Sequence, residues 1–291
     1  EDVVFEHNLL RHSGGGISIL GVDDNHPSRQ TRNITIRNNV LADIDEKNLD
    51  ASLRALGDAG HVVAGRATDV SDGASMEALA AFAESSFGGV DLVHLNAGVA
   101  AGGPIWTLSE NDWKWVLGVN LWGVIHGVRS FVPRMLAGGG PGHVVATASM
   151  AGLISGGIMG PYNVSKHGVV TLAETLLRDL MMVGAPIGVS VLCPGWVNTG
   201  IGESGRNRPD SLRNAEASGD ILGSSTATGG ASPLKAVLEG GISPDVVAAE
   251  VVDAVKTGRF YILTHAWKDL IKARMDDILE ERTPTPMFFP T

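Results

Sequence analysis

The sequence predicts an α/β fold built on a doubly wound parallel sheet, and three observations predict it. Two apolar runs rich in Val and Ile, residues 143–148 and 187–192, read as buried strands. A long helical pattern lies between them, with Pro161 in its first turn, where a missing N–H costs nothing, and Gly184 as its stop. Strand, helix and strand in that order make a right-handed crossover between parallel strands. In such sheets the ligand crevice lies outside the carboxyl ends of the strands. Ser149 and the turn Cys193-Pro194-Gly195 both fall at that edge.

The elements follow in order. Residues 1–39 read differently from the rest. VVFEHNLL at 3–10 lines up with ITIRNNVL at 34–41, an offset of 31, with Asn8 and Asn39 coinciding. Short alternating strands at a fixed offset have the look of solenoid coils. This atypical β-strand-rich segment resembles coils of a right-handed parallel β-helix, although a solenoid needs at least about three repeats. An irregular extension with a chance echo is the other reading. From residue 40, VLADID is a strand ending at Asp43, and EKNLDASLRALGDAG is a helix that Asp43 can cap. HVVAGRATDVSD precedes the helix SMEALAAFAESSFG, and VDLVHLNAGVA is a buried strand ending at Asn96-Ala97-Gly98. A long helical stretch over 109–136 carries Asn120 among Leu and Val, where Asn is unfavourable. His126 lies on the same stretch and is assigned no role.

After Thr199 the chain is irregular through about residue 242, rich in Gly and Ser. A loop that long is functional or disordered. The stretch SPDVVAAEVVDAVKTG reads as a helix capped by Ser243 and stopped by Gly258. FYILTH is a last strand and AWKDLIKARMDDILEER a last helix.

Composition narrows the function. The chain has 291 residues, 44% hydrophobic and 19% charged, enough for one large domain with an appendage. A formal charge of −10 argues against nucleic acid or an anionic membrane as partner. A single Cys193 fits a reducing compartment. No apolar run reaches transmembrane length, and EDVVFEHN does not read as a signal peptide, so a cytoplasmic location is expected.

Tyr162 and Lys166 are four apart and share a helix face. A free phenol titrates near about 10. An ammonium about 5 Å away favours phenolate by roughly 3 kcal/mol at an effective dielectric of about 20. Tyr162 then becomes a usable proton donor and acceptor, and Ser149 can hydrogen-bond the same substrate oxygen. No metal site is evident. The chemistry that suits these groups is proton transfer at an alcohol or carbonyl oxygen, coupled to hydride transfer by a cofactor. Taken alone, the Tyr-Lys pair also fits a half-buried Tyr beside a surface Lys.

The pair is not alone. Tyr162 stands 13 residues after Ser149 and Lys166 four after Tyr162, and LNAG at 95–98, VNLWG at 119–123 and PGWVNT at 194–199 follow the same plan. Over residues 40–291 the sequence resembles the short-chain dehydrogenase/reductase family. The resemblance implies a Rossmann-like oxidoreductase acting on a small secondary alcohol or ketone, and a homodimer or homotetramer. It implies that Tyr162 is the acid/base, Ser149 the substrate-oxygen anchor and Lys166 the pKa depressor and ribose ligand, with Asn120 holding a water relay to Lys166. Asp43 would take the adenosine ribose hydroxyls and favour NAD over NADP. Asp69 and Val70 match the adenine-contacting pair, although a turn Asp before a helix explains Asp69 equally well. Asn96, Ala97 and Gly98 would border the cofactor, as would Pro194, Gly195, Val197 and Thr199, with Thr199 at the carboxamide.

The family begins with a strand, a glycine-rich loop and a helix that hold the pyrophosphate. Here the candidate is SGGGISILG at 13–21, where ISIL looks like a strand and Pro27 follows in a polar run. The loop is therefore expected to be missing. The sheet still needs a strand between those ending at Asp43 and Asn96, and the best filler is residues 16–22, with no helix after it. Two rivals follow: a relative or chimeric chain that cannot hold the cofactor tightly, and a fragment of a carbohydrate-related β-helix protein.

Overall fold

The computed structural model describes residues 3–6, 8–11, 34–214 and 237–287. The chain enters through four short strands, β1 (Val3–Glu6), β2 (Asn8–Arg11), β3 (Ile34–Arg37) and β4 (Asn39–Asp43). It continues through α1 (Glu46–Asp58), β5 (Val63–Ala67), α2 (Gly73–Phe87) and β6 (Leu92–Leu95). Next come α3 (Glu110–Leu117), a π-turn at Gly118–Trp122 and α4 (Gly123–Gly138). β7 (Gly142–Thr147), α5 (Gly160–Met182) and β8 (Ile187–Leu192) form the crossover expected from sequence. α6 (Pro244–Thr257), β9 (Tyr261–Ile262) and α7 (Lys268–Leu279) complete the described chain.

Among the described residues, seven strands form one parallel sheet in the order β5-β4-β2-β6-β7-β8-β9. The chain runs outward from β2 to β5, then returns beside β2 and runs outward again from β6. The order reverses between β2 and β6, which opens a crevice at the carboxyl ends of the central strands.

The strand between β4 and β6 is therefore present, but it is Asn8–Arg11 and not residues 16–22. Leu9, Leu10 and Arg11 pair with Val40, Leu41 and Ala42, while Asn8 and Leu9 pair with Leu92 and Val93. The 31-residue offset seen in the sequence is the register itself, since Val3 pairs with Ile34 just as Leu9 pairs with Val40. Two backbone ladders, not a long apolar run, define a central strand, so three or four residues suffice. The glycine run at 13–21, the candidate strand at 16–22 and the polar run beyond it lie outside the described residues.

Helices cover both faces of the sheet, and adjacent side chains of one strand show it. Val144 and Val191 pack with Leu79, Phe131 and Val169, whereas Val145 and Leu192 pack with Val247, Val251 and Ile262. The period of two along a strand sends successive residues to opposite faces. A fully buried Val or Leu contributes about 1.5–3 kcal/mol, so both layers hold the sheet.

Candidate active site

β7 ends at Thr147, and the backbone then turns through a 3₁₀ turn at Met150–Gly152. Ser149 caps that turn: its Oγ accepts from the Ala151 N–H at 3.1 Å and donates to the Pro194 carbonyl at 3.4 Å. The Tyr162 phenol stands beside Ser149 on the same cleft wall. One helical turn on, Lys166 is 2% exposed; its Nζ donates to the Thr147 carbonyl at 2.9 Å and lies 5.6 Å from the Tyr162 ring centre. Gly152 sets the spacing between turn and helix, because a Cβ there would sit 2.6 Å from the Lys166 carbonyl oxygen. All three side chains line one cleft enclosing about 910 Å³, its open mouth included.

Burial governs their titration. It pushes the Lys166 ammonium down to about 8. Burial also raises the Tyr162 phenol above its ordinary value, with the Ser149 hydrogen bond pulling the other way. The depression of Tyr162 by Lys166 expected from sequence is thus reversed in the protein alone. The physical reason is that burial takes the phenolate out of water, which favours the neutral phenol.

A second cleft enclosing about 690 Å³, its open mouth included, adjoins the first, and Gly98 lines both. Asp43, Asp69, Val70 and Ala97 line this second space. Asp43 Oδ1 accepts from the Asp45 N–H at 2.8 Å, while its Oδ2 is buried without a partner among the described residues. Desolvation raises the Asp43 carboxyl to about 6 against the opposing backbone hydrogen bonds. Asp69 also serves its turn, accepting from the Ser71 N–H and hydroxyl at 2.9 and 2.7 Å. Asn96, Pro194, Gly195, Val197 and Thr199 line the first cavity. Asn96 Oδ1 accepts from Thr147 Oγ1 at 2.8 Å, which ties β6 to β7.

Asn120 sits on the π-turn, fully buried. Its Oδ1 accepts from the Val99 N–H at 2.8 Å, and its Nδ2 donates to the Val99 carbonyl and to Ser165 Oγ at 3.0 and 3.2 Å. The side chain thus holds the segment after β6. His126 hydrogen-bonds the Val70 carbonyl at 3.1 Å, in keeping with the absence of an assigned role.

Several site residues carried no signal. Thr147 has no motif, yet its carbonyl holds Lys166. Leu238 and Trp267 line the Tyr162 cavity, and Ser204, Asn207, Pro209 and Leu212 line the Asp43 cavity. The irregular stretch after Thr199 is, in its first part, a pair of short 3₁₀ helices at Gly200–Asn207 and Asp210–Leu212. No cluster of three or more His, Cys, Asp or Glu that could hold a metal occurs among the described residues. No described helix is long and apolar enough to cross a membrane.

Residues 36–210 match the family model of the short chain dehydrogenases. The chain belongs to that family of oxidoreductases, which bind a nicotinamide cofactor. It is 31% identical over 246 residues to the CLA biosynthesis dehydrogenase/reductase of Lactiplantibacillus plantarum, covering 84% of this chain and 85% of that one. It is 34% identical over 229 residues to the 1-deoxy-11-beta-hydroxypentalenate dehydrogenase of Streptomyces avermitilis, covering 78% and 75%. Among solved structures, a short chain dehydrogenase/reductase from Burkholderia phymatum in complex with NAD is 40% identical. It superposes with a TM-score of 0.86 and covers 99% of this chain and 98% of that one.

Proposed function

We propose that this chain interconverts a secondary alcohol and its ketone with NAD, and that Tyr162 is the acid/base. The observation that carries the reading is the convergence of Ser149, Tyr162 and Lys166 on the wall of one cleft at the sheet's carboxyl edge. Lys166 is buried there with no ion-pair partner among the described residues, a costly placement that packing alone does not call for. When bound, the nicotinamide cofactor supplies the acceptor or donor of the hydride.

The chain's own groups handle the proton. In alcohol oxidation the substrate hydroxyl gives its proton to the Tyr162 oxygen, and in reduction the same phenol returns it. Ser149 holds the substrate oxygen within reach of that phenol. The Lys166 ammonium stabilises the phenolate whenever Tyr162 is deprotonated. Asn120 fixes Val99, which lines the adjoining cavity, and would hold a water that relays protons to Lys166.

Asp43 fits the adenosine end of the cofactor. A buried carboxylate oxygen without a partner, at the wall of an adjoining cavity, calls for hydroxyl donors, which a ribose supplies. The same carboxylate disfavours a 2′-phosphate, so NAD is preferred over NADP. The NAD held by the Burkholderia phymatum relative supports this choice. Asp69, Val70, Ala97 and Gly98 would line the adenine side, and Pro194, Gly195, Val197 and Thr199 the nicotinamide side.

The test is Tyr162→Phe in the full chain, assayed with NAD and a panel of secondary alcohols. Turnover should fall by several orders of magnitude while NAD still binds. Turnover within tenfold of the parent would sink the Tyr162 assignment.

A further inference from the structure

The wall facing Tyr162 is aromatic and rigidly set. Trp196 and Trp267 meet edge to face, ring centres 6.4 Å apart at 72°, and His265 leans on Trp267 at 4.8 Å. Gly195 makes this packing possible: a Cβ there would lie 2.7 Å from the Trp267 ring and 2.8 Å from the His265 ring. The Gly195 N–H also donates to His265 Nδ1 at 3.1 Å. Trp267 is thereby fixed by the turn after β8 and by the start of α7. Leu238, 5% exposed, and Met159 extend the same wall.

Among its described lining residues the cleft holds no fixed charge besides that of Lys166. Among the described residues lining it there is no Arg, Asp, Glu or second Lys. The Lys166 ammonium is turned to the Thr147 carbonyl, and burial holds the nearby His265 imidazole below its ordinary range. An anionic substituent placed in this cleft would lose its hydration and find no side-chain cation of its own among the described residues. An apolar ring would replace water against two indoles at no such cost.

We propose that the substrate is an uncharged secondary alcohol or ketone bearing an apolar ring next to the reacting carbon, with Trp196, Trp267 and Leu238 as its specificity-determining contacts. The proposal rests on the reading of Tyr162 as acid/base and names the substrate class of that same cleft. It excludes matched substrates in which a carboxylate stands beside the reacting carbon.

The experiment separates the two ideas by measuring binding as well as turnover. Acetophenone and phenylglyoxylate differ only in a methyl replaced by a carboxylate, as do 1-phenylethanol and mandelate. With NAD present, acetophenone should bind the full chain at least roughly tenfold more tightly than phenylglyoxylate, read by tryptophan fluorescence or saturation-transfer NMR. kcat/KM for 1-phenylethanol should exceed that for mandelate by about 100-fold or more. Trp267→Leu and, separately, Trp196→Leu should raise KM for 1-phenylethanol about tenfold with a smaller change in kcat. Equal binding, reversed binding or no detectable binding of both ketones overturns the substrate class. Tyr162→Phe should abolish turnover yet keep the binding preference. A preference that persists while Tyr162→Phe stays active would instead overturn the acid/base reading alone.

Discussion

Arg208 and Asp112 stand 2.7 Å apart across 96 residues of chain, with Asp112 wholly buried and the Arg208 guanidinium 5.0 Å from the Trp115 ring centre. Arg208 Nε also donates to the Leu212 carbonyl, and Asn214 and Ser109 supply further donors to the Asp112 carboxylate. The pair fastens the segment after Thr199 to α3, and that segment walls the Asp43 cavity through Ser204, Asn207 and Pro209. Burial pushes the Asp112 carboxyl up, but Arg208, Asn214 and Ser109 together hold it below its ordinary value.

Removing one partner leaves the other as an uncompensated buried charge. Arg208→Met should therefore lower stability by about 3–5 kcal/mol in urea titrations at neutral pH. Because the folded Asp112 value is depressed, its contribution is full above the unfolded value and is lost as pH falls through the folded one. NAD affinity should weaken at least roughly tenfold as the wall loosens. An unchanged urea midpoint together with unchanged NAD affinity would contradict both.

Gly152→Ala tests the contact that spaces Ser149 from Lys166. The added methyl would meet the backbone carbonyl of Lys166 at 2.6 Å, and a backbone group cannot rotate away. A cost of about 1–3 kcal/mol is expected, with turnover lowered at least tenfold as α5 shifts. Gly157 provides the control, since a methyl there meets nothing within 4 Å. Gly157→Ala should change stability by no more than about 0.5 kcal/mol. Thermal melts and initial rates of the two variants decide the matter.

Asp43→Asn should trade stability against cofactor choice. Burial raises the folded carboxyl to about 6. A raised folded value means that its stabilising contribution is complete below the unfolded value of about 4 and is lost as pH rises through about 6. At pH 8 the parent thus carries a desolvated carboxylate, and the amide variant should be more stable. The same change should erase most of the preference for NAD over NADP. Calorimetric titration with both cofactors reads the second effect, and a preference that survives would show that Asp43 does not meet the ribose.

His143 gives the opposite pH signature. Ser190 donates its hydroxyl proton to the Arg259 carbonyl at 2.7 Å, so the imidazole Nε2, 2.8 Å from Ser190 Oγ, must be the donor in that pair. Burial pushes the imidazole down to about 4. Its contribution is present above about 6.5 and is lost as pH falls through about 4. The stability difference between the parent and His143→Gln should shrink by about 3 kcal/mol from pH 7 to pH 4. A difference that stays flat over that range would mean that His143 is not buried in its neutral form.

Local chemistry was legible in the sequence. Pro161 does open α5, Gly184 takes a positive φ just past its end, and Ser243 and Gly258 cap α6 as their residue types require. Ser149, Tyr162 and Lys166 were found because helix and strand periods fix their relative positions. What was missed depends on distance in space. Asn8–Arg11 is too short and too polar to announce a central strand; its neighbours define it. Asp112 closes a capping box with Ser109, and its bond to Arg208 spans 96 residues, a separation that no local pattern reports. The sign of the Tyr162 shift turned on burial, which spacing cannot supply.

The placement of β2 has a bearing on how the chain can fail. A strand at the rim of a sheet can fray without harm, but this one lies between β4 and β6. If it is clipped or slow to dock, the sheet acquires two new edges facing each other, each with a row of unsatisfied amides and carbonyls. Those edges would accept the same segment from another copy as readily as their own. Deleting Asn8–Arg11 should therefore convert the protein to exchanged or aggregated forms while most of its helices remain intact.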